Sequence, residues 1–405
     1  MSNIPKLRFK EFSMEWEEKT LKSISDLISY GLTVRPEYIE NGIPLISARE
    51  LKGGKVNYNI APKISENSYN ILSSKAKANK GDIFLTKTGT IGLSAYVDVD
   101  FPIAITQNIS VIRVDNKLYH HQFILQTFKT KQFYKHIMQK VNQSTIMDLQ
   151  LQDIRKSSIN LPQKQEQQKI ASFLTSIDTK IEQLSSKQQL LEEYKKGIMQ
   201  KIFSQEIKFK DDDGGEFLDW EVKKLGEISD VRDGTHDSPK YYENGFPLIT
   251  SKNLLKNGTI DFNNVNLILL NDYNNINKRS KVSIGDILFG MIGTIGNPVL
   301  LNSDGFAIKN VALIKEQEVL KNTFLLHYLN SQLIEKQFYE QNTGGTQKFI
   351  ALGVIRNLII NLPQLKEQTK IANFLSSIDK KIQSVSNQLV QTKEFKKGLL
   401  QKMFV

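Results

Sequence analysis

Apolar residues fall seven apart at Ile170, Ile177, Leu184, Leu191 and Ile198, with Leu174, Ile181 and Ile202 on the companion positions and Gln188 and Lys195 as polar breaks. The same spacing returns at Ile371, Ile378, Val385 and Leu399, with Leu375, Ile382, Leu389 and Met403 as companions and Thr392 and Lys396 as breaks. A narrow apolar seam held over several heptads between polar flanks predicts a coiled coil. An ordinary amphipathic helix packed on its own domain is the reading that the pattern leaves open. Pro162 and Pro363 stand just ahead of each seam, where a missing N–H costs a helix little. The Gln/Glu/Lys runs that follow read as solvated helix faces. A helix of ~40 residues is ~60 Å long. Each seam follows its own globular stretch, so antiparallel pairing of the two helices would place those stretches at opposite ends.

Outside the seams the period changes. Ile83-Phe84-Leu85 and Ile287-Leu288-Phe289 are short apolar runs behind Gly-Asp signals and predict buried strands, a character continued by Val97, Val99, Ile109, Val111 and Ile112. Gly89-Thr90-Ile91-Gly92 reads as a turn into the next strand. Residues 123–141 and 324–339 read as helical. Each globular stretch is therefore α+β.

The chain is also written twice. Asn160-Leu161-Pro162-Gln163 returns as Asn361-Leu362-Pro363-Gln364, at an offset of 201 residues. At the same offset Ile170-Ala171-Ser172-Phe173-Leu174 answers Ile371-Ala372-Asn373-Phe374-Leu375, and Tyr194-Lys195-Lys196-Gly197 answers Phe395-Lys396-Lys397-Gly398. More faintly, Gly42-Ile43-Pro44-Leu45-Ile46-Ser47 answers Gly245-Phe246-Pro247-Leu248-Ile249-Thr250, and Gly81-Asp82-Ile83 answers Gly285-Asp286-Ile287. The expected fold is two similar globular domains (1–160 and 205–362), each followed by a long helix (161–204 and 363–405). The helices pair as an antiparallel coiled coil in a pseudo-two-fold repeat.

Composition narrows what such a frame does. The 405 residues carry 54 Lys+Arg against 43 Asp+Glu, a net charge of +11, and no cysteine. Disulfide scaffolds, thiol nucleophiles, zinc ribbons and iron–sulfur ligation are excluded. The basic balance suits an acidic partner, nucleic acid before membrane. Residues 1–8 lack the apolar core of a signal peptide, and no stretch reaches the ~18 apolar residues of a membrane helix. A soluble, cytoplasmic protein is expected.

The two copies agree in frame and differ at their loop tips. In the first copy the tips carry Thr33, Arg35, Ser47, Arg49, Lys87, Thr88, Thr90, Gln107, Asn108, Ser144 and Thr145. In the second they carry Thr235, His236, Ser238, Lys240, Thr250, Lys252, Asn253, Met291, Thr294, Lys309, Asn310, Thr346, Gln347 and Lys348. Most of these side chains are of the kinds that bond base edges and phosphates, although any one of them is also ordinary loop composition. One frame with two sets of polar tips is what a protein reading two different half-sites requires. Two readers on one face of DNA sit ~34 Å apart, and rigid helices suit such a spacer.

Catalytic signatures are missing. There is no phosphate-binding G-x-x-x-x-G-K-[ST] loop, no dinucleotide fingerprint, no Asp/Asn-Pro-Pro-aromatic stretch and no nucleophile elbow. Asp211-Asp212-Asp213-Gly214-Gly215 lacks calcium-loop spacing and reads as a solvated loop. His120, His121, His136, His236 and His327 lack metal-type spacing and read as surface or packing residues; His236 stands out because it lies on a recognition tip. Glu192-Glu193 reads as a solvated flank. No metal and no catalytic residue is assigned.

These features together resemble the specificity (S) subunit of type I restriction–modification systems, over essentially the whole chain. The resemblance rests on the two helices opening Leu-Pro-x-x-x-Glu-Gln, at 160–203 and 361–404, and on the two Gly-Asp-Ile…Gly-Thr-Ile-Gly frames. It implies two target recognition domains that read a bipartite, asymmetric double-stranded DNA site, and no catalysis in this chain. It implies two adenine methyltransferase (M) subunits held by the chain and two restriction (R) subunits in the full complex. S-adenosylmethionine, ATP and magnesium would belong to those partners. A stand-alone DNA-binding regulator that dimerises through its helices is the alternative. A nuclease or methyltransferase with an unrecognised site, and a bare coiled-coil scaffold, fit the residues less well.

Overall fold

The computed structural model describes residues 3–33, 36–142, 146–341 and 349–405. They form two compact units. The first comprises residues 1–185 with 387–405; the second comprises 186–386.

In the first unit a four-stranded antiparallel sheet runs in the order Ser94–Tyr96, Ile83–Thr86, Ile109–Val114, Ser25–Tyr30. A second sheet of five short strands pairs Ile43–Ile46 in parallel with Ile103–Ile105. Glu17–Thr20 pairs antiparallel with Ser158–Leu161 and ties the start of the domain to the start of its long helix. The Ile83-Phe84-Leu85 run is buried on both faces. Ile83 and Leu85 pack with Trp16, Phe123 and Ile112, while Phe84 packs with Ile105 and Val111. A strand covered on both sides needs no polar face, which is why the sequence shows a continuous apolar run.

The second unit repeats this plan. Its sheet order is Val231–Asp233, Val311–Ile314, Ile287–Gly290, Gly296–Leu300. Phe246–Ile249 runs parallel to Ala307–Ile308, and Glu221–Lys224 pairs with Ile359–Leu362. Ile287 and Phe289 enter one core and Leu288 the other.

Residues 123–141 and 324–339 are helical as expected, each as two helices rather than one. The first breaks into His121–Phe128 and Lys131–Met138 because the Thr130 hydroxyl accepts from Phe133 N and caps a new helix. The second breaks into Asn322–Leu329 and Gln332–Gln341, with Ser331 donating back to Tyr328 O. The helix runs after the prolines are not solvated throughout. Glu166, Gln167, Glu367 and Gln368 are all buried. Gln167 Nε2 donates to Pro162 O at 2.7 Å and its Oε1 accepts from His120 N at 2.9 Å. Gln368 does the same with Pro363 O and Lys321 N, at 2.9 and 2.8 Å. Glu166 receives Arg8 on both oxygens, while Glu367 receives the Trp220 indole N–H. The repeated Glu-Gln thus fastens the first turn of each long helix to its own unit.

The long helices run Lys164–Phe203 and Leu365–Met403, 40 and 39 residues. Along the seams Ile170, Leu174, Ile177, Leu184, Ile371, Leu375, Ile378, Val385, Leu389 and Leu399 are buried, and Ile181, Leu191, Ile198 and Ile382 are half-buried. Within the first unit the pairing is antiparallel. Asn160 donates to Val405 O at 3.2 Å, and Asp178 lies 2.5 Å from the Lys396 ammonium. Within the second unit Lys195 lies 2.6 Å from Asp379, and Phe209 stacks edge-on against Phe374. The seam also packs on the unit's own core, since Ile170 and Leu174 share a cluster with Phe123 and Trp16. The coiled-coil reading and the core-helix reading therefore describe the same residues.

The polar breaks have partners. Asp178 receives Lys396 and Gln126, with Lys129 at 3.7 Å. Burial raises its pKa, but Lys129, Lys396 and Gln126 outweigh that and hold the carboxyl below its usual range. In the second unit Asp379 receives Lys195, and His327 sits 3.7 Å from it while its Nε2 lies 3.0 Å from Ser376 Oγ. Burial, with the Lys195 ammonium, pushes His327 down to about 4. Among the described residues no helix is long and apolar enough to cross a membrane.

Candidate nucleic-acid interface

The parallel strand pair creates the site. In the first unit the ends of Ile43–Ile46 and Ile103–Ile105 emerge side by side, so Ser47 stands beside 106–108. The segment from Gly31 then adds an edge: Leu32 N donates to Ile105 O and Gln107 N donates to Leu32 O, at 2.8 and 2.9 Å. Gly31 is required here, because a Cβ would lie 1.9 Å from Ile105 O. Lys87 N donates to Asn108 O at 2.9 Å and brings in the tip that follows Ile83–Thr86. Thr33, Ser47, Thr88, Gln107 and Asn108 consequently share a concavity of about 390 Å³ with Tyr38 and Thr106.

The expected residues differ in how free they are. Thr33, Arg49, Thr90 and Gln107 are exposed. Ser47 donates to Glu50 at 2.7 Å in a capping box, and Asn108 accepts from the Thr106 hydroxyl. Lys87 is mostly covered and pairs with Asp148 at 2.9 Å. Thr88 donates to the same carboxylate at 2.6 Å. Burial raises the Asp148 pKa, but bonds from Thr88 and Lys87 hold it below its usual value. Arg35, Ser144 and Thr145 lie outside the described residues.

The second unit repeats the convergence with other side chains. Thr235 N donates to Ile308 O at 3.0 Å, and a Cβ on Gly234 would meet that same oxygen at 2.3 Å. Lys309 N donates to Ile249 O at 2.8 Å, and its ammonium lies 2.5 Å from the Ser238 hydroxyl. His236, Ser238, Lys240 and Lys252 are exposed, while Thr235, Thr250, Thr294, Lys309 and Asn310 are half-buried. His236 bonds Asp233 and Asn310 at 2.7 and 2.8 Å. Those two bonds raise its pKa above the usual imidazole value, Asp233 contributing most.

Two of the expected recognition residues are buried. Met291 is 1% exposed and packs in the core with Phe289 and Ile350. Asn253 is 4% exposed; its Oδ1 accepts from Thr250, and its Nδ2 donates to Asn264 O at 2.9 Å. It caps a turn, as Glu50 does in the first unit. Thr346, Gln347 and Lys348 lie outside the described residues. The residues that sequence reasoning missed are Asp148, Asp233 and Arg279. Ser251 stands on the diverging tip Thr250-Ser251-Lys252-Asn253 but was not singled out there. Its Oγ donates to Asn310 O at 3.1 Å and accepts from Met291 N at 3.1 Å, joining three tips.

Two sets of converging loop tips built on one frame, each in a unit that carries a long helix, define a class of protein, and comparison with known proteins identifies it. Residues 14–193 and 218–393 match the type I restriction modification DNA specificity domain, and the chain belongs to that family. It is 26% identical to the type I restriction enzyme MjaVIII specificity subunit of Methanocaldococcus jannaschii, covering 95% of this chain and 91% of the relative. It is 27% identical to the putative MjaX specificity subunit of the same organism, covering 98% and 95%. The fold is that of the S subunit of a type I restriction–modification system from M. genitalium, with a TM-score of 0.65, 16% identity and 99% of each chain covered.

Proposed function

We propose that this chain is the DNA-reading subunit of a type I restriction–modification complex and reads a bipartite, asymmetric site, one half per unit. The observation that carries this reading is the repeated convergence of loop tips. The same backbone bonds gather Thr33, Ser47 and Gln107 in one unit and His236, Thr250 and Lys309 in the other. Exposed Lys and Arg supply salt-dependent attraction to phosphate, and the differing tips discriminate bases. Each well-made bidentate base contact contributes ~1–3 kcal/mol of discrimination.

The two long helices, with about half of their aligned positions identical, present equivalent surfaces to two methyltransferase subunits, and two restriction subunits join that core. Methylation and cleavage, with S-adenosylmethionine, ATP and magnesium, belong to those partners. Methylation-sensitive sequencing of cells expressing the chain with its methyltransferase tests the reading. The expected result is one non-palindromic motif in two parts separated by unspecified bases. A palindrome, or no modified motif, overturns it. Native mass of the purified complex tests the assembly, with two methyltransferases expected per chain.

A further inference from the structure

His236 is held in a way that a neutral imidazole does not satisfy. Its Nε2 lies 2.7 Å from Asp233 Oδ2 and its Nδ1 lies 2.8 Å from Asn310 Oδ1. A neutral ring has one N–H and one lone pair, so it serves one of these acceptors and faces the other with a lone pair. The imidazolium serves both.

Asp233 and the backbone of Asn310 are fixed. Asp233 is 6% exposed, and its other oxygen accepts from Arg279. Asn310 sits at φ 54°, donates through its N–H to Thr235 O, and accepts on its own O from Ser251. Asp233, on the strand Val231–Asp233, favours the charged ring, and Arg279, on the helix Leu270–Ser280, opposes it. Lys309, beside Asn310, is engaged with Ser238, and Asp237 follows His236 in its own loop.

With both nitrogens turned inward, the ring shows solvent only its faces and C–H edges, and its side chain is 56% exposed. Such a group offers positive charge but no hydrogen bond to a base edge. It suits a phosphate. The first unit holds Tyr30 and Thr33 at the positions aligned with Asp233 and His236, and its Asn108 accepts from Thr106 instead. It therefore lacks the device.

We infer that His236, clamped between Asp233 and Asn310, is a protonation-gated phosphate contact of the second half-site, with no equivalent in the first. This rests on the DNA-reading function proposed above.

The test measures DNA affinity against salt for the complete complex at about pH 6 and about pH 8, in the wild type, His236→Gln and His236→Lys. The wild type should lose about one phosphate contact between the two conditions, a change of ~0.9 in the log–log salt slope and roughly threefold in affinity across ordinary salt. His236→Gln should keep the shallow slope at both pH values, and His236→Lys the steep one. Wild type and His236→Gln changing slope equally with pH would overturn the inference while leaving DNA reading intact. Absence of specific binding by all three proteins at both pH values would overturn the DNA reading itself.

Discussion

Buried polar side chains decide more here than the exposed ones. Gln167 and Gln368 each satisfy a carbonyl and an amide at the point where a sheet hands over to a long helix. Gln167→Ala strands both groups and should cost about 2 kcal/mol in chemical denaturation. The histidines respond to pH with opposite signs. His327 is held neutral, with a folded pKa of about 4. Its contribution is present above ~6.5 and is lost as pH falls from there toward 4. His327→Gln, which installs the residue found at the matching Gln126, should flatten part of the stability loss in that window, read by thermal melts across pH. The remainder comes from His120, His121 and His136, which burial also lowers. His236 is raised, so its contribution is full below ~6.5 and disappears as pH climbs through the folded value. At the recognition face, Arg49 is exposed while Lys87 is tied to Asp148. Arg49→Ala should relax the first half of the methylated motif and leave melting temperature unchanged. Lys87→Ala should weaken that half and also lower the melting temperature, because Asp148 loses its cation.

In the helices, two of the four interruptions of the heptad, Lys195 and Lys396, are members of charge pairs. Lys396 is matched by Asp178 and Lys195 by Asp379, in each case a residue of one repeat with a residue of the other. A polar residue at a seam position specifies register at some cost in stability. Lys396→Asp should destabilise by about 1–3 kcal/mol, since the pair is only partly covered. The double variant Lys396→Asp with Asp178→Lys should recover most of it, measured as a coupling energy. The helices and their seam were legible in the sequence because a seven-residue period over five turns of repeat has few other causes. The strands were legible where Gly-Asp and Gly-Thr-Ile-Gly bounded an apolar run. The breaks at Thr130 and Ser331 were not, because a hydroxyl that bonds nearby backbone at such a break leaves the apolar spacing on both sides intact. The converging polar tips were legible as positions, from the divergence of two copies on one frame. Their freedom was not legible: Met291 and Asn253 are buried, and Asp148 and Asp233 restrain Lys87 and His236 through pairings that cross 61 residues in one case and 3 in the other.

For the whole chain, the repeat makes each reading unit separately adjustable. Exchanging the exposed second-unit tip His236–Ser238 for other residues should change one half of the methylated motif and preserve the other half and the spacer, as read by sequencing of modified DNA. The division of the chain into units has a further consequence. The second unit is one continuous stretch, 186–386, whereas the first takes its last piece from 387–405. That piece supplies Leu399, Met403 and Phe404 to the core around Trp16 and Phe123. On the ribosome, then, the domain that is made first cannot close first. At ~5–20 residues per second, about 10–40 s separate the synthesis of its body from the arrival of its missing wall. Throughout that interval the later unit is still being made, and the earlier one keeps an apolar face open. A chain stopped at residue 386 should show this directly, with protease cleavage and hydrophobic dye binding concentrated before residue 185.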